Sequence, residues 1–139
     1  MPTLISPVDE LRDAFAAMAT EFADQGEPRY MGEAKDFSAY LAALRDRERG
    51  EGLPAGWVSD SHFWLVDEAR IVGCSRLRHR LTPALQREGG HIGFDVRPSE
   101  RRKGYGTLLL RLTPERASVL GITRVRVTCD ADNSPSVES

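Results

Sequence analysis

Apolar residues recur at three- and four-residue steps through the first third of the chain, which predicts two amphipathic helices. The first apolar stripe consists of Val8, Leu11, Phe15, Met18 and Phe22. The second helix is expected over 36–49, with Phe37, Tyr40, Leu41 and Leu44 facing inward. Both stripes are typical of core-facing helices, so we assign them to packing and not to cofactor contacts.

Local signals mark the ends of the first helix. Ser6 is predicted to cap its start, because a hydroxyl accepts from the open N–H groups of a first turn, and Pro7 suits the first helical position. Gly26 and Pro28 are expected to end the helix. Residues 3–5 are compatible with a short opening strand.

From residue 61 the apolar period changes to two, which predicts strands. Strands at 62–66 and 70–81, joined by a turn at 67–69, form an expected hairpin. One face of the second strand carries Ile71, Gly73, Ser75, Leu77, His79 and Leu81; the other carries Arg76, Arg78 and Arg80. For Arg78 and Arg80 a solvated face is favoured over the binding of an acidic acceptor, and both interpretations stay open.

A third strand is predicted at 91–97, a helix from about Gly104 to Gly121, and a last strand at 123–129. The helix is expected to bury Leu108, Leu109 and Leu112. Pro114 lies inside it and predicts a kink near 110–112 or a break, because proline removes a backbone donor and clashes with the preceding turn.

A strand, a helix and a second strand joined by a crossover of this length imply a parallel, right-handed pair. With two helices and an antiparallel hairpin before it, the unit predicts an α/β (α+β) fold with a mixed sheet. The length of 139 residues fits a single domain over 1–139.

Composition narrows the function classes. The net charge of −2 argues against general nucleic-acid binding. Neither a signal peptide nor a long apolar run is evident, so secretion and membrane spanning are not indicated. Cys74 and Cys129 lack metal-type spacing and are expected to be reduced core thiols, which predicts a cytoplasmic protein without a metal site.

The charge of the chain is unevenly placed. Residues 97–103 contain four cations (Arg97, Arg101, Arg102 and Lys103) against the single anion Glu100. They lead into Gly104-Tyr105-Gly106 at the predicted start of a helix, where N–H groups have no helical partner and the dipole favours negative charge. Glycine also allows the backbone to approach a phosphate closely. This segment, 101–106, predicts an anion cradle.

Three kinds of anion site compete for this segment. A dinucleotide fingerprint requires a third glycine, and a Walker loop requires glycine, lysine and a hydroxyl residue in succession; neither matches. The remaining pattern, Arg-x-x-Gly-x-Gly after a strand, resembles the acetyl-CoA signature of the GNAT N-acetyltransferase superfamily. The resemblance covers about 61–136, including HIGFDVRPSERRKGYG and the later RVRVTCD. Within the superfamily, this part of the chain is similar to a subgroup whose members largely have no assigned substrate.

The resemblance implies a splayed edge between strands 91–97 and 123–129 at which the pantetheine arm pairs as a pseudo-strand. It implies that acetyl-CoA is bound by Phe94, Asp95, Val96, Arg101, Arg102, Lys103, Gly104, Tyr105, Gly106, Thr107 and Asn133. The implied reaction is direct attack of an amine on the thioester, with a strand amide near Val96 polarising the carbonyl.

The catalytic base is less clearly indicated. His91 has a suitable ordinary pKa and stands where many family members carry a carboxylate, but a partly exposed strand histidine is the competing interpretation. Asp95 shares its strand parity and could join a water relay with it. His79 is interpreted as structural or as lining an acceptor pocket.

The resemblance further implies a helix and two strands after Asn133, of which this sequence holds only the first residues. A C-terminally incomplete fold is therefore expected, with an exposed sheet edge that a homodimer could cover. The function predicted is acetyl transfer to a small-molecule or protein amine. The alternative is a catalytically inactive module that binds acyl-CoA or a protein partner.

Overall fold

The computed structural model describes residues 2–51, 53, 58–79 and 92–119. The strands are β1 (Thr3–Ile5), β2 (Asp60–Asp67), β3 (Arg70–Arg78) and β4 (Ile92–Val96). The helices are α1 (Arg12–Asp24), α2 (Met31–Lys35), α3 (Phe37–Arg49) and α4 (Tyr105–Val119), with 3-10 turns at Asp9–Leu11 and Pro98–Glu100. Both predicted N-terminal helices are confirmed; α2 was not anticipated.

The described strands form one sheet in the order β1-β2-β3-β4, and each neighbouring pair is antiparallel. The predicted hairpin is confirmed as β2 and β3. Its two turn residues, Glu68 and Ala69, both have positive φ values of 53° and 64°. Such a turn matches the right-handed twist of the strands it joins, even though neither residue is the usual glycine or asparagine.

A bulge corrects the predicted faces of β3. Leu65 pairs with Gly73 but the next residue, Val66, pairs with Ile71, so Val72 is the extra residue on β3. Beyond the bulge the prediction holds, because Ser75 and Leu77 face α4. Ile71 was placed on that same face, which is wrong, since one inserted residue reverses the alternation and turns its side chain toward α1 and α3.

Two apolar clusters cover the two faces of the sheet. The first packs α1, α2 and α3 against it and centres on Phe15, Met18, Phe22, Phe37, Leu41 and Trp64. The second packs α4 against the other face and centres on Phe63, Leu65, Leu77, Ile92, Phe94 and Leu109. The sheet is therefore the middle layer of three, and side chains at alternate strand positions belong to different environments.

The predicted Ser6 cap is wrong. Strand β1 pairs with β2 through Ile5, Val8 is still extended, and the helix begins with the turn Asp9–Leu11, without a side-chain cap. The start of α3 behaves as its sequence indicates, because the Asp36 carboxylate accepts from the Ala39 N–H.

Of the two outcomes predicted for Pro114, the break does not occur, since α4 runs without interruption from Tyr105 to Val119, and the kink near 110–112 stays a prediction. Contacts with the sheet hold the helix on both sides of the proline. Thr113 Oγ1 donates to Ser75 Oγ at 2.8 Å, and Arg116 Nη2 donates to the Leu4 carbonyl at 2.6 Å. Tertiary packing here outweighs the local cost of proline.

Several sequence predictions lie outside the described residues. These are the strand at 123–129 and its parallel pairing with β4, the helix end at Gly121, and the site residues His91 and Asn133. Within the described part of the chain, no helix is long and apolar enough to cross a membrane.

Candidate functional site

The predicted anion cradle lies between the end of β4 and the start of α4. Arg102 and Gly104 have positive φ values of 65° and 89°, so the chain turns sharply before the helix. The first helical hydrogen bond runs from the Leu108 N–H to the Gly104 carbonyl at 3.0 Å. The N–H groups of Tyr105 and Gly106 precede it and point out of the helix start, as anion binding requires.

Carboxylates hold the cations of the cradle in place. Arg101 donates through Nε to the Val96 carbonyl and through Nη2 to Glu27 Oε2, both at 3.3 Å. Buried Glu100 accepts from Lys103 Nζ at 2.9 Å and from Arg70 Nη1 at 2.7 Å, and these partners lower its pKa. The cradle is thus preorganised, and an anion arriving there must compete with these carboxylates.

Glu21 fastens α1 to the segment that leads into the cradle. Its carboxylate accepts from the Ser99 N–H at 2.7 Å, from Ser99 Oγ at 2.9 Å and from Arg97 Nε at 2.9 Å. Burial acts to raise the pKa of Glu21, but the Ser99 N–H, followed by the Arg97 and Ser99 side chains, holds it below the ordinary value.

Glu21→Gln is expected to lower the free energy of unfolding at pH 7 by about 2 kcal/mol, because three donors lose a charged acceptor. The folded-state pKa of Glu21 lies below its ordinary value of 4.5, so this stabilisation is present above pH 4.5 and is lost as the pH falls through the folded pKa. Urea unfolding at pH 7 and pH 3 measures both effects. Exposed Glu48→Gln is the control, and a Glu21→Gln deficit that stays constant with pH would contradict the assignment.

The backbone of β4 presents alternate groups to its two sides. The Arg97 N–H donates to the Val72 carbonyl at 2.9 Å, so in this antiparallel pairing the polar groups of Asp95 also point toward β3. Those of Phe94 and Val96 point to the opposite edge, where Arg101 already meets the Val96 carbonyl. Among the described strands, β3 is the only partner of β4.

A cavity of about 290 Å³ opens on the other face of the sheet, beneath α2 and α3. Its lining includes Tyr30 and Tyr40 from the helical side and His62, Trp64 and Cys74 from the strands. Three guanidinium groups, those of Arg29, Arg47 and Arg76, and two carboxylates, Glu33 and Asp95, also line it. It therefore combines aromatic walls with charged groups, as small-molecule sites do.

Asp95 organises the inner end of this cavity. Its Oδ1 is ion-paired with Arg29, while Oδ2 accepts from the Tyr30 hydroxyl at 2.6 Å and from Arg76 Nη1 at 3.4 Å. Arg76 lies flat across β4 because Gly93 has no side chain; a Cβ there would stand 2.9 Å from Arg76 Nη2. Both oxygens of Asp95 are therefore occupied, which gives it an anchoring role in this structure and leaves it poorly placed as a proton acceptor.

Two groups near Asp95 are held in their neutral forms. Burial, with further contributions from Cys74 and Asp95, raises the pKa of Tyr30 well above its ordinary value, so its phenol is a stable hydrogen-bond donor. Burial and the Asp95 charge raise the pKa of the Cys74 thiol to about 12. A protonated, buried thiol is a poor nucleophile at neutral pH.

A second buried carboxylate, Asp60, lies farther along the same face. Arg47 Nη2 donates to its Oδ2 at 2.6 Å, and His62 Nε2 stands 3.5 Å from its Oδ1. Burial opposes ionisation of Asp60, but His62 and then Arg47 lower its pKa below the ordinary value. His79, by contrast, pairs through Nε2 with Ser61 Oγ at 2.8 Å, which fits its structural interpretation.

The structure brings together part of the predicted site. Cradle residues Arg101, Arg102, Lys103, Gly104, Tyr105, Gly106 and Thr107 lie along one turn and helix start, and Phe94 and Val96 lead into it with their side chains buried against α4. Asp95 projects into the cavity on the opposite face. His91 and Asn133 fall outside the described residues, and all of these assignments stay predictions.

From the sequence, the acceptor walls were expected to come from the N-terminal helices and the loops around 29–32 and 81–90; Arg29 and Tyr30 agree with this, and the second loop lies outside the described residues. Sequence reasoning did not single out Arg47 or His62, which also line the cavity. They are far apart in sequence and carry no motif. The alternation of β2 was the available signal, because it places Asp60, His62 and Trp64 on one face, but nothing in it showed that a gap remained beneath the helices.

Comparison with known families agrees with these features. The acetyltransferase (GNAT) family model matches residues 17–138, which include most of α1, the strands β2, β3 and β4, the cradle and α4. No curated protein and no solved structure matches the chain significantly. The match spans most of the sequence and contains the glycine-bearing turn at its expected place after β4, so this chain belongs to the GNAT acetyltransferase family.

Proposed function

We propose that this protein is an N-acetyltransferase that transfers the acetyl group of acetyl-CoA to a primary amine bound in the cavity. The contact that carries the proposal is made by Glu27. Its Oε2 meets Arg101 of the cradle at 3.3 Å, and its Oε1 meets Arg29 of the cavity at 3.1 Å. One carboxylate thus joins a donor-binding turn to an acceptor-sized cavity, as group transfer between two substrates requires.

The residues of the cradle fit the diphosphate of acetyl-CoA. The N–H groups of Tyr105 and Gly106 open toward the helix start, and cationic side chains surround them. The outward polar groups of Phe94 and Val96 suit the amides of an extended pantetheine arm, which would add to the edge of β4 as a strand does. The Val96 N–H is then available as the donor that polarises the thioester carbonyl.

Acetyl-CoA supplies an activated acetyl thioester: the acceptor nitrogen bonds to the acetyl carbon, the carbon–sulfur bond breaks, the CoA thiol departs, and the amine loses one proton. Direct transfer is favoured over an acyl-cysteine route through Cys74, because that thiol is 7% exposed and its pKa is about 12. Asp95 is excluded as a ready base by its three partners. His91 remains our candidate for accepting the amine proton.

Turnover tests the proposal. Full-length protein, acetyl-CoA and a broad panel of primary amines are expected to release thiol, with N-acetylated product identified by mass spectrometry. The alternative, an inactive module that only binds acyl-CoA or a protein, predicts binding without thiol release. Transfer to hydroxyl groups in place of amines would contradict N-acetylation while leaving the family assignment intact.

The setting of this activity is also part of the proposal. A cytoplasmic enzyme agrees with the reduced state of Cys74 and with the supply of acetyl-CoA in that compartment. We propose that the partner is a second copy of the chain, rather than nucleic acid or a membrane. It would cover the exposed edge expected from the C-terminally incomplete fold, not the β4 edge assigned to pantetheine, and sedimentation velocity would detect it.

A further inference from the structure

We propose that the acceptor amine carries an anionic group, a carboxylate or a phosphate, that binds the guanidinium groups of Arg47 and Arg76 in the cavity. The inference rests on the proposed function and names the substrate class of the same site. It follows from which charged groups of the cavity are exposed to a ligand, and not only from the number of positive and negative groups.

The guanidinium groups of Arg47 and Arg76 are accessible, whereas the carboxylates that they contact are covered. The side chains of Arg47 and Arg76 are 32% and 40% exposed. Their partners Asp60 and Asp95 are only 7% and 5% exposed. A ligand entering the cavity therefore meets N–H donors, because the negative charges that orient them lie behind the guanidinium groups.

Arg76 has donors to spare for such a ligand. It stands on β3, in the middle of the sheet, on a face that α1 and α3 otherwise cover, and yet it keeps 40% of its side chain exposed. Asp95 meets one of its nitrogens, Nη1, at 3.4 Å, which is long for a charge-assisted bond. A planar guanidinium with exposed donors is suited to bidentate contact with a carboxylate or phosphate.

Arg78 adds a third cation near Arg47 and Arg76. It lies two residues beyond Arg76 on the same face of β3. Its pKa is lowered first by burial and then by the charges of Arg76 and Arg47, with Asp60 acting in the opposite direction. At Arg76 itself burial is outweighed by Asp95, which keeps the pKa above its ordinary value. The guanidinium groups therefore repel one another, and an anionic ligand beside them would relieve that repulsion.

A purely cationic acceptor fits less well. Asp95 is occupied by Arg29, Tyr30 and Arg76. Among the described lining residues, Glu33 is the one carboxylate that is not buried, and it lies on α2. This single accessible acid suits the amine of a ligand whose anionic group lies across the cavity at Arg47 and Arg76.

The cavity also limits the size of the acceptor. A volume of about 290 Å³ corresponds to about ten non-hydrogen atoms at the ~30 Å³ that each water molecule occupies in the liquid. The aromatic rings of Tyr40 and Trp64 offer apolar contact to the body of the ligand. A small molecule of the size of an amino acid or a short aminoalkyl phosphate therefore suits the cavity better than a folded protein surface.

Matched pairs of product analogues test the inference without turnover. One set compares N-acetyl amino acids with their uncharged amides, and the other compares N-acetylaminoalkyl phosphates with the parent alcohols. Binding is followed in the full chain carrying Trp57→Phe, which leaves Trp64 as its single tryptophan and thus reports on the cavity by fluorescence. We expect at least tenfold tighter binding of one anionic set, and an affinity that falls with salt.

Arginine variants test whether the cavity arginines cause the preference for anionic compounds. Arg76→Gln is expected to remove most of it and to flatten the salt dependence, while Arg76→Lys restores part of it. Arg47→Gln gives a second variant, which removes the other guanidinium group of the proposal and leaves the Asp95 contacts intact. Exposed Arg45→Gln on α3 is the matched control and is expected to bind as the wild type does.

The inference is overturned if no anionic compound binds more tightly than its uncharged partner, whether both bind equally or neither binds. An anion preference that survives both Arg76→Gln and Arg47→Gln would show that these arginines do not bind the anionic group. Titration with acetyl-CoA in the same preparation separates the two proposals. A chain that binds acetyl-CoA but shows no charge preference loses only this inference, whereas a chain that selects anions without binding acetyl-CoA loses the proposed function.

Discussion

Gly104→Trp is expected to weaken acetyl-CoA binding at least a hundredfold while the fold survives. Gly104 has a φ of 89°, a conformation that costs a side-chain-bearing residue about 1–2 kcal/mol. Its carbonyl accepts the first helical bond of α4, so an indole attached there projects into the cradle where the diphosphate must lie. The loss thus combines a distorted turn with blocked N–H groups.

Gly50→Trp is the matched control for backbone strain. Gly50 has a φ of 78° at the end of α3, and a Cβ added there would stand 3.1 Å from the flexible Ser59 Oγ, so the substitution carries a similar conformational cost outside the cradle and outside the Glu27 contact. Calorimetric titration of both variants with acetyl-CoA, beside urea unfolding of each, separates binding from stability. Equal affinity in the two variants would show that the cradle does not hold the donor.

Asp95→Ala is expected to lower the free energy of unfolding by about 3 kcal/mol, because it leaves two arginines and a buried phenol without their shared acceptor. This value is the lower end of the roughly 3–5 kcal/mol that removal of one partner of a buried ion pair costs, because Arg29 and Arg76 are more than a third exposed and water can solvate them. Urea unfolding at pH 7 measures the change.

Asp46→Ala is the comparison for Asp95→Ala. Asp46 forms an exposed pair with Arg49 one turn away on α3, and its loss is expected to change the stability by no more than about 0.5 kcal/mol. Asp95→Asn keeps the shape of the side chain and one acceptor oxygen, so its free energy of unfolding is expected to lie between those of Asp95→Ala and Asp46→Ala. A stability of Asp95→Ala close to that of Asp46→Ala would contradict the anchoring role of Asp95.

The sequence predicted those parts of the fold that depend on local periodicity. The stripes through Phe15 and Leu41, the β2–β3 hairpin and the start of α4 all repeat a period that one element imposes on its own residues. Ile71 shows the limit of this reasoning, because one inserted residue at Val72 reverses a face without changing the composition of the strand. Pro114 shows a second limit, because contacts of its helix with Ser75 and Leu4 keep the helix continuous despite the proline.

The two halves of the candidate site differed in how far the sequence could reveal them. The cradle is one continuous segment, so its cations, glycines and place after β4 are visible in order. The cavity is assembled from α2, α3, β2, β3 and β4, and its key contacts join residues such as Arg29 and Asp95 that lie 66 positions apart. Likewise, no local pattern indicates that Glu27 bridges the two sites.

Titration of wild-type protein with acetyl-CoA in a calorimeter tests the central claim most directly. We expect one binding site per chain, an affinity that falls as salt is added, and loss of the heat in Gly104→Trp but not in Gly50→Trp. The absence of acetyl-CoA binding by the folded wild-type protein would contradict the account, because every step proposed here begins with the donor in the cradle.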